Sequence, residues 1–193
     1  LSVCVCFTLV LKENLKMKVK LLNKKLVSAF LMSILFSSGY VSANSEIKQD
    51  MSPVLTVEFE DQSNPENNQY LEELFKAFIA HDKSNLKYML SEGFAQKFGG
   101  EQNSYNEFIK HSLVLSEQLT RMEVVFENVN VSSDGTISEI HTVEVTKLDG
   151  SRSKLKLYAF YYFDQSGKLE YIDELSTLLE GPEEDKNMGS RTK

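Results

Sequence analysis

The sequence predicts an α+β domain in which helices lie on one face of a curved antiparallel sheet, and three observations predict it. Apolar side chains recur at helical spacing from Tyr70 to about Leu119. From Arg121 onward the period changes to two. Asp134-Gly135, Asp149-Gly150 and Ser166-Gly167 then divide this second half into four strand-like runs, the spacing of hairpin turns in an antiparallel meander. Helices followed by a meander bury their apolar faces against one another in two layers.

Ahead of that domain stands a targeting pattern. Met17-Lys18-Val19-Lys20 and Lys24-Lys25 form a basic start, Leu26 to Phe36 an apolar run, and Val41-Ser42-Ala43 supplies small residues. That order is a secretory signal peptide, and the apolar run is too short for a comfortable membrane span. Residues 17–43 are therefore expected to be removed near Ala43, with export to the periplasm or the medium and membrane contact only in transit. Residues 1–16 precede the better start and read as a start-site artefact; they hold both cysteines, Cys4 and Cys6. With these gone, no disulfide and no thiol chemistry are expected. The 150 residues from Asn44 carry 15 basic and 27 acidic side chains, a balance of −12. Such a charge disfavours nucleic acid, because there is no basic patch to neutralise phosphates.

Residues 44–64 read as an acidic linker, within which Val54 to Phe59 alternate and could add an edge strand. The domain proper spans 65–180. Asn64-Pro65 offers a cap followed by proline at the first helical position, and Tyr70, Leu71, Leu74, Phe75, Phe78 and Ile79 form one apolar face. A short second helix starts at Asp82 or Ser84, presents Leu86, Met89 and Leu90, and ends at Gly93. Ser104-Tyr105-Asn106-Glu107 has the capping-box form and opens a third helix bearing Phe108, Ile109 and Leu113. Beyond Gly181-Pro182, residues 181–193 have Met188 as their one apolar side chain, so the tail is expected to be disordered.

Three helices, the His81-Asp82 pair between the first two, the meander, and the run from Asp164 to Glu174 with its Gly167-Lys168 pair together resemble the nuclear transport factor 2-like superfamily, in particular its SnoaL-like branch. The resemblance covers about Asn67 to Leu179. It implies a cone, with three N-terminal helices packed on a bent sheet around a pocket. Members of the superfamily include isomerases, cyclases, dehydratases and pure binding or association modules, so the fold leaves function open.

In such a cone, chemistry requires a polar residue on the apolar face of a strand. Ile137, Glu139, His141, Val143 and Val145 share one face of the second strand, so Glu139 and His141 stand among apolar neighbours. A histidine beside a carboxylate in a water-poor pocket can act as a general base with its tautomer fixed. In the last strand alternation puts Asp173 with Leu169, Tyr171 and Leu175, whereas a bulge together with the resemblance would turn Glu174 inward. Tyr161 completes the candidate ligand-binding residues. His81 and His111 read as surface residues. The histidine spacing predicts no metal site, and no motif calls for a cofactor, a serine nucleophile or a nucleotide.

In the third strand Leu155, Leu157, Ala159, Tyr161 and Phe163 fill one face, and Tyr158, Phe160 and Tyr162 the other. Helices cover only one of the two, so a homodimer through the outer aromatics is expected, as the resemblance also implies. Two functional readings follow. The first is a non-catalytic exported domain that binds a small apolar ligand or a protein partner. The alternative is a cofactor-free isomerase, cyclase or dehydratase that works by proton transfer in the pocket.

Overall fold

The computed structural model describes residues 52–192. The signal-peptide and start-site readings lie outside the described residues. Strand β1 (Val54–Phe59) is followed by helices α1 (Pro65–Ile79) and α2 (Lys83–Met89), strands β2 (Leu90–Phe98) and β3 (Glu101–Ser104), and helix α3 (Tyr105–Gln118). Four long strands close the domain: β4 (Leu119–Val131), β5 (Ile137–Lys147), β6 (Arg152–Phe163) and β7 (Leu169–Glu180).

All seven strands form one sheet, in the order β1-β4-β5-β6-β7-β2-β3. The expected meander is β4 to β7, each strand antiparallel to the next. The sheet as a whole is mixed, which corrects the purely antiparallel expectation, because β1 runs parallel to β4 and β2 parallel to β7. Both parallel pairs join segments distant in sequence, so the intervening helices and strands supply the long crossover that parallel pairing requires.

The helices are not three in succession. Helix α2 ends at Met89, and the stretch up to Gly93 belongs to β2, which adds to the edge of β7. Pairing runs from Leu90 opposite Leu169 to Ala95 opposite Tyr171 with an irregularity between them, and Gly93 lies in that irregular stretch rather than at a helix end. The pattern of short apolar residues around Leu90 suits either element; the open edge of β7 decides it.

Local signals hold the helices as their sequences suggest. The Glu107 carboxylate accepts from both the backbone N–H and the hydroxyl of Ser104, closing the start of α3. Asp82 caps α2 through the backbone N–H groups of Ser84 and Asn85. Asn64 stands at the N-cap of α1 without a side-chain cap bond; its amide instead donates to the Val129 carbonyl, tying the helix start to β4. His81 is not a free surface residue. It has φ 51°, in the left-handed region between α1 and α2, and its Nδ1 lies 3.1 Å from the Ser112 hydroxyl of α3.

The core lies between the helices and one face of the sheet, with Leu71 and Leu74 of α1, Phe108 of α3, and Phe126, Ile137 and Leu157 of the sheet all buried. The tail past Gly181 is ordered through Thr192, contrary to expectation. It forms a 3-10 turn, Glu183–Asn187, and its single apolar side chain, Met188, is buried. Composition undercounts it because the buried anchor is ionic. Asp185 accepts from Lys147 at 2.7 Å and from Ser153 at 2.5 Å, and Arg191 lies at 3.2 Å.

Candidate functional site

Between α1, α3 and the buried face of the sheet lies a cavity of about 80 Å³. Phe75 and Phe78 of α1, Leu115 of α3, and Val143 and Leu157 of the sheet make most of its wall apolar. Polar groups reach it from His141, Tyr161, Glu174, Gln96 and His111.

The strand period accounts for the first of these groups. Along β5 the buried positions are Ile137, Glu139, His141, Val143 and Val145, alternating with partly exposed neighbours. Glu139 and His141 are thus adjacent on the inner face, and both are almost fully buried. His141 Nδ1 lies 2.8 Å from each carboxylate oxygen of Glu139. The Tyr161 hydroxyl donates to the same carboxylate at 2.9 Å. A carboxylate only accepts, so it fixes the ring with the hydrogen on Nδ1 and leaves Nε2 as the free acceptor. Nε2 is buried and has no hydrogen-bond partner. Phe75 packs edge-on against the imidazole at 5.3 Å and Phe126 packs against it at 5.1 Å, which limits its rotation. Burial raises the Tyr161 hydroxyl well above the usual phenol range, and the Glu139 charge adds to the rise, so the phenol remains a donor.

The second acid is Glu174. Strand β7 carries one extra residue where it leaves β6: Tyr162 pairs with Tyr171 but Phe163 pairs with Leu169. This bulge at Glu170 shifts the alternation, so Leu169, Ile172 and Glu174 point inward while Asp173 is exposed. Alternation without the bulge would have favoured Asp173; the correction follows from the extra residue. Burial pushes the Glu174 carboxyl up to about 8, against a hydrogen bond from Gln96 and with a further rise from the charges of Glu139 and Asp173. At neutral pH Glu174 is therefore mostly a neutral acid. Gln96 Nε2 donates to it at 2.5 Å and also to the Gly189 carbonyl at 2.9 Å, while Asn103 donates to Gln96 Oε1.

His111 corrects a further expectation. It lies on the buried face of α3 with Phe108, Ser112 and Leu115, not at the surface. Its Nδ1 donates to the Arg191 carbonyl at 2.5 Å. Burial pulls its pKa down to about 4, backbone acceptors at Arg191 and Gly189 oppose this, and the Arg191 charge adds to the fall, so the ring is neutral at pH 7. The three-residue step from Phe108 and the four-residue step to Leu115 would have placed it inward, had the spacing been weighed above its lysine neighbour.

Of the candidate residues, then, His141, Tyr161 and Glu174 line the cavity, Glu139 holds the first two of these from the same face of the sheet, and Asp173 stands on the opposite face; Gln96 and Asn103 join Glu174 in a second polar group, and His111 binds the tail beside it. Among the described residues, no cluster of three or more histidine, cysteine or acidic side chains is placed to hold a metal ion.

No protein-family model matches the chain. An uncharacterized protein of Schizosaccharomyces pombe is 28% identical over 127 residues, which cover 65% of this chain and 96% of that one. Among solved structures, AclR of Streptomyces galilaeus, described as a candidate hydroxylase, matches with a TM-score of 0.50 at 15% identity over 68% of this chain and 85% of its own. A nuclear transport factor 2-like protein of unknown function from an Exiguobacterium species matches at a TM-score of 0.43 and 15% identity, over 57% of this chain and 98% of its own. Seven strands in a mixed sheet with three helices, and the likeness in fold to AclR, agree with the nuclear transport factor 2-like architecture that the sequence resembles.

Proposed function

We propose that the domain takes a small, mostly apolar molecule into the cavity and moves a proton on it without a cofactor, as an isomerase, cyclase or dehydratase would. The observation that carries this reading is the buried, unpaired Nε2 of His141, a residue of the cavity wall whose Nδ1 is held by Glu139. A pocket that only bound apolar molecules would need shape and lining. A buried carboxylate–imidazole pair is expensive to maintain there, and its free nitrogen is oriented for general-base work. A neutral Glu174 supplies the complementary donor to an oxygen on which negative charge develops. Glu139 and Glu174 share a row of the sheet through Ala159, and at the usual strand spacing their backbones are about 10 Å apart. A molecule of a few heavy atoms spans what remains between the inward side chains.

In this mechanism His141 Nε2 takes a proton from a carbon beside a carbonyl, and Glu139 stabilises the imidazolium that results. Glu174 donates a hydrogen bond to the enolate oxygen, and the imidazolium returns the proton to the same or a neighbouring carbon. Exchange of the α-hydrogens of cyclopentanone in deuterated water, followed by NMR, is a direct test. The wild-type protein should accelerate the exchange, and His141→Ala should lower that acceleration by about a hundredfold or more. Equal rates in the two proteins would leave the pocket as a non-catalytic binding site.

A further inference from the structure

The cavity is closed on one side by the chain's own tail. Met188 and Gly189 line it, although both lie beyond the last strand. Three main-chain carbonyls of this segment are bound by the side chains that surround the site: Gly189 by Gln96 at 2.9 Å, Ser190 by Asn103 at 3.0 Å and Arg191 by His111 at 2.5 Å. Gln96 divides its amide between this segment and Glu174, so the proposed acid and the tail share one donor.

Size decides what this means. Sites for small molecules usually enclose about 300–1,000 Å³. The cavity of about 80 Å³ holds only a few heavy atoms while Met188 is in place. The tail is also built to come away as a unit. It starts at Gly181, with φ 119°, and Pro182, and it contributes one apolar side chain to the interior. Its other holds on the body of the domain are polar groups that water can satisfy after release: the Asp185 carboxylate with Lys147 and Ser153, the Lys186 carbonyl with Ser176, and the three carbonyls. No strand of the sheet depends on it for pairing.

We propose that residues 181–192 form a removable stopper, and that a molecule larger than a few heavy atoms reaches His141 and Glu174 only when Met188 and Gly189 leave the mouth of the cone. The inference rests on the reading that the cavity takes a ligand, but not on catalysis. Release frees Gln96 to bind the entering molecule's polar group and removes the carbonyl acceptor from His111.

Two full-chain variants weaken the anchor without changing the cavity wall: Asp185→Asn, which removes the charge facing Lys147, and Lys147→Ala, which removes the cation that Asp185 binds on the body of the domain. The probe is the neutral naphthalene dye prodan, followed by its fluorescence, with amide hydrogen exchange of residues 185–191 measured in parallel. Both variants should speed exchange in the tail and bind prodan at least tenfold more tightly than wild type. Turnover is read from ketone exchange with His141→Ala and the stopper from tail exchange and dye affinity in the anchor variants, so failure of one reading and failure of the other remain separate results. Faster tail exchange with unchanged dye affinity would overturn the stopper, as would tight prodan binding by wild type while the tail amides stay protected. Should Asp185→Asn fail to fold, Lys147→Ala alone decides between these outcomes.

Discussion

Glu139 and Glu174 face the same interior from either side of Ala159, the former accepting from His141 and Tyr161, the latter from Gln96. Burial holds Glu174 toward its neutral form, and the neighbouring charge of Glu139 adds to that preference. Ala159 leaves the room above the intervening strand that both long side chains need.

The Glu174 carboxyl, raised in the fold to about 8 from an ordinary 4.5, makes stability depend on pH with a definite sign. The folded protein keeps a proton that the unfolded chain gives up. The contribution is fully present below pH about 4.5 and is lost as pH rises through 8. His111, lowered to about 4, acts in the opposite sense and is felt as pH falls below 6.5. Between pH 6.5 and 8 the Glu174 slope stands alone of the two. Urea denaturation across that window should show wild type losing on the order of 1–2 kcal/mol, while Glu174→Gln stays flat and is the more stable protein at pH 8. A parallel slope in both proteins would remove Glu174 as its source.

Tyr161→Phe should destabilise the domain by about 1–2 kcal/mol, since it deletes a buried donor and leaves an oxygen of Glu139 with one partner fewer. Thermal unfolding of wild type and variant at the same pH measures this directly. An unchanged midpoint would mean that the hydroxyl does not bind the carboxylate.

Much of this site is legible in the sequence because strand alternation is strictly periodic. The inner face of β5, with Glu139 and His141 among Ile137, Val143 and Val145, follows from the period alone. The choice between Asp173 and Glu174 does not, because it turns on one extra residue at Glu170, and a bulge leaves no mark in an alternating pattern until its partner strand is known. The pairing of β2 with β7 was hidden for a related reason: Leu90 to Gly93 suits a helix end until the edge of β7 is in view. The tail is the clearest failure of composition, since its order comes from Asp185 meeting Lys147 and Ser153, residues over thirty positions away.

The outer face of the sheet remains to be covered. Tyr158 is 46% exposed and pairs across strands with Leu175, itself 60% exposed, and Phe160 is 46% exposed two positions along. We propose a homodimer through this patch, in which burial of the rings contributes on the order of a few kcal/mol. Sedimentation at micromolar concentration should give a dimer, and Phe160→Glu should shift it to monomer. A wild-type monomer under those conditions would rule out this interface.

Export is proposed from the residues ahead of the domain. Expressed with its leader, the protein should be recovered outside the cytoplasm with an N-terminus near Asn44, as read by N-terminal sequencing. Recovery only of the uncleaved chain from the cytoplasm would contradict it.

Everything proposed for the site turns on Glu139 holding His141 with its hydrogen on Nδ1 and its free Nε2 turned to the cavity. Nitrogen-15 NMR of histidine-labelled protein under alkaline conditions, with His141 assigned by comparison with His141→Ala, reads this tautomer directly. The expected spectrum shows a protonated Nδ1 and an unprotonated Nε2 whose shift responds to a bound small ketone. A hydrogen on Nε2 with Nδ1 bare would contradict it, because Glu139 would then be the donor and no base would face the cavity.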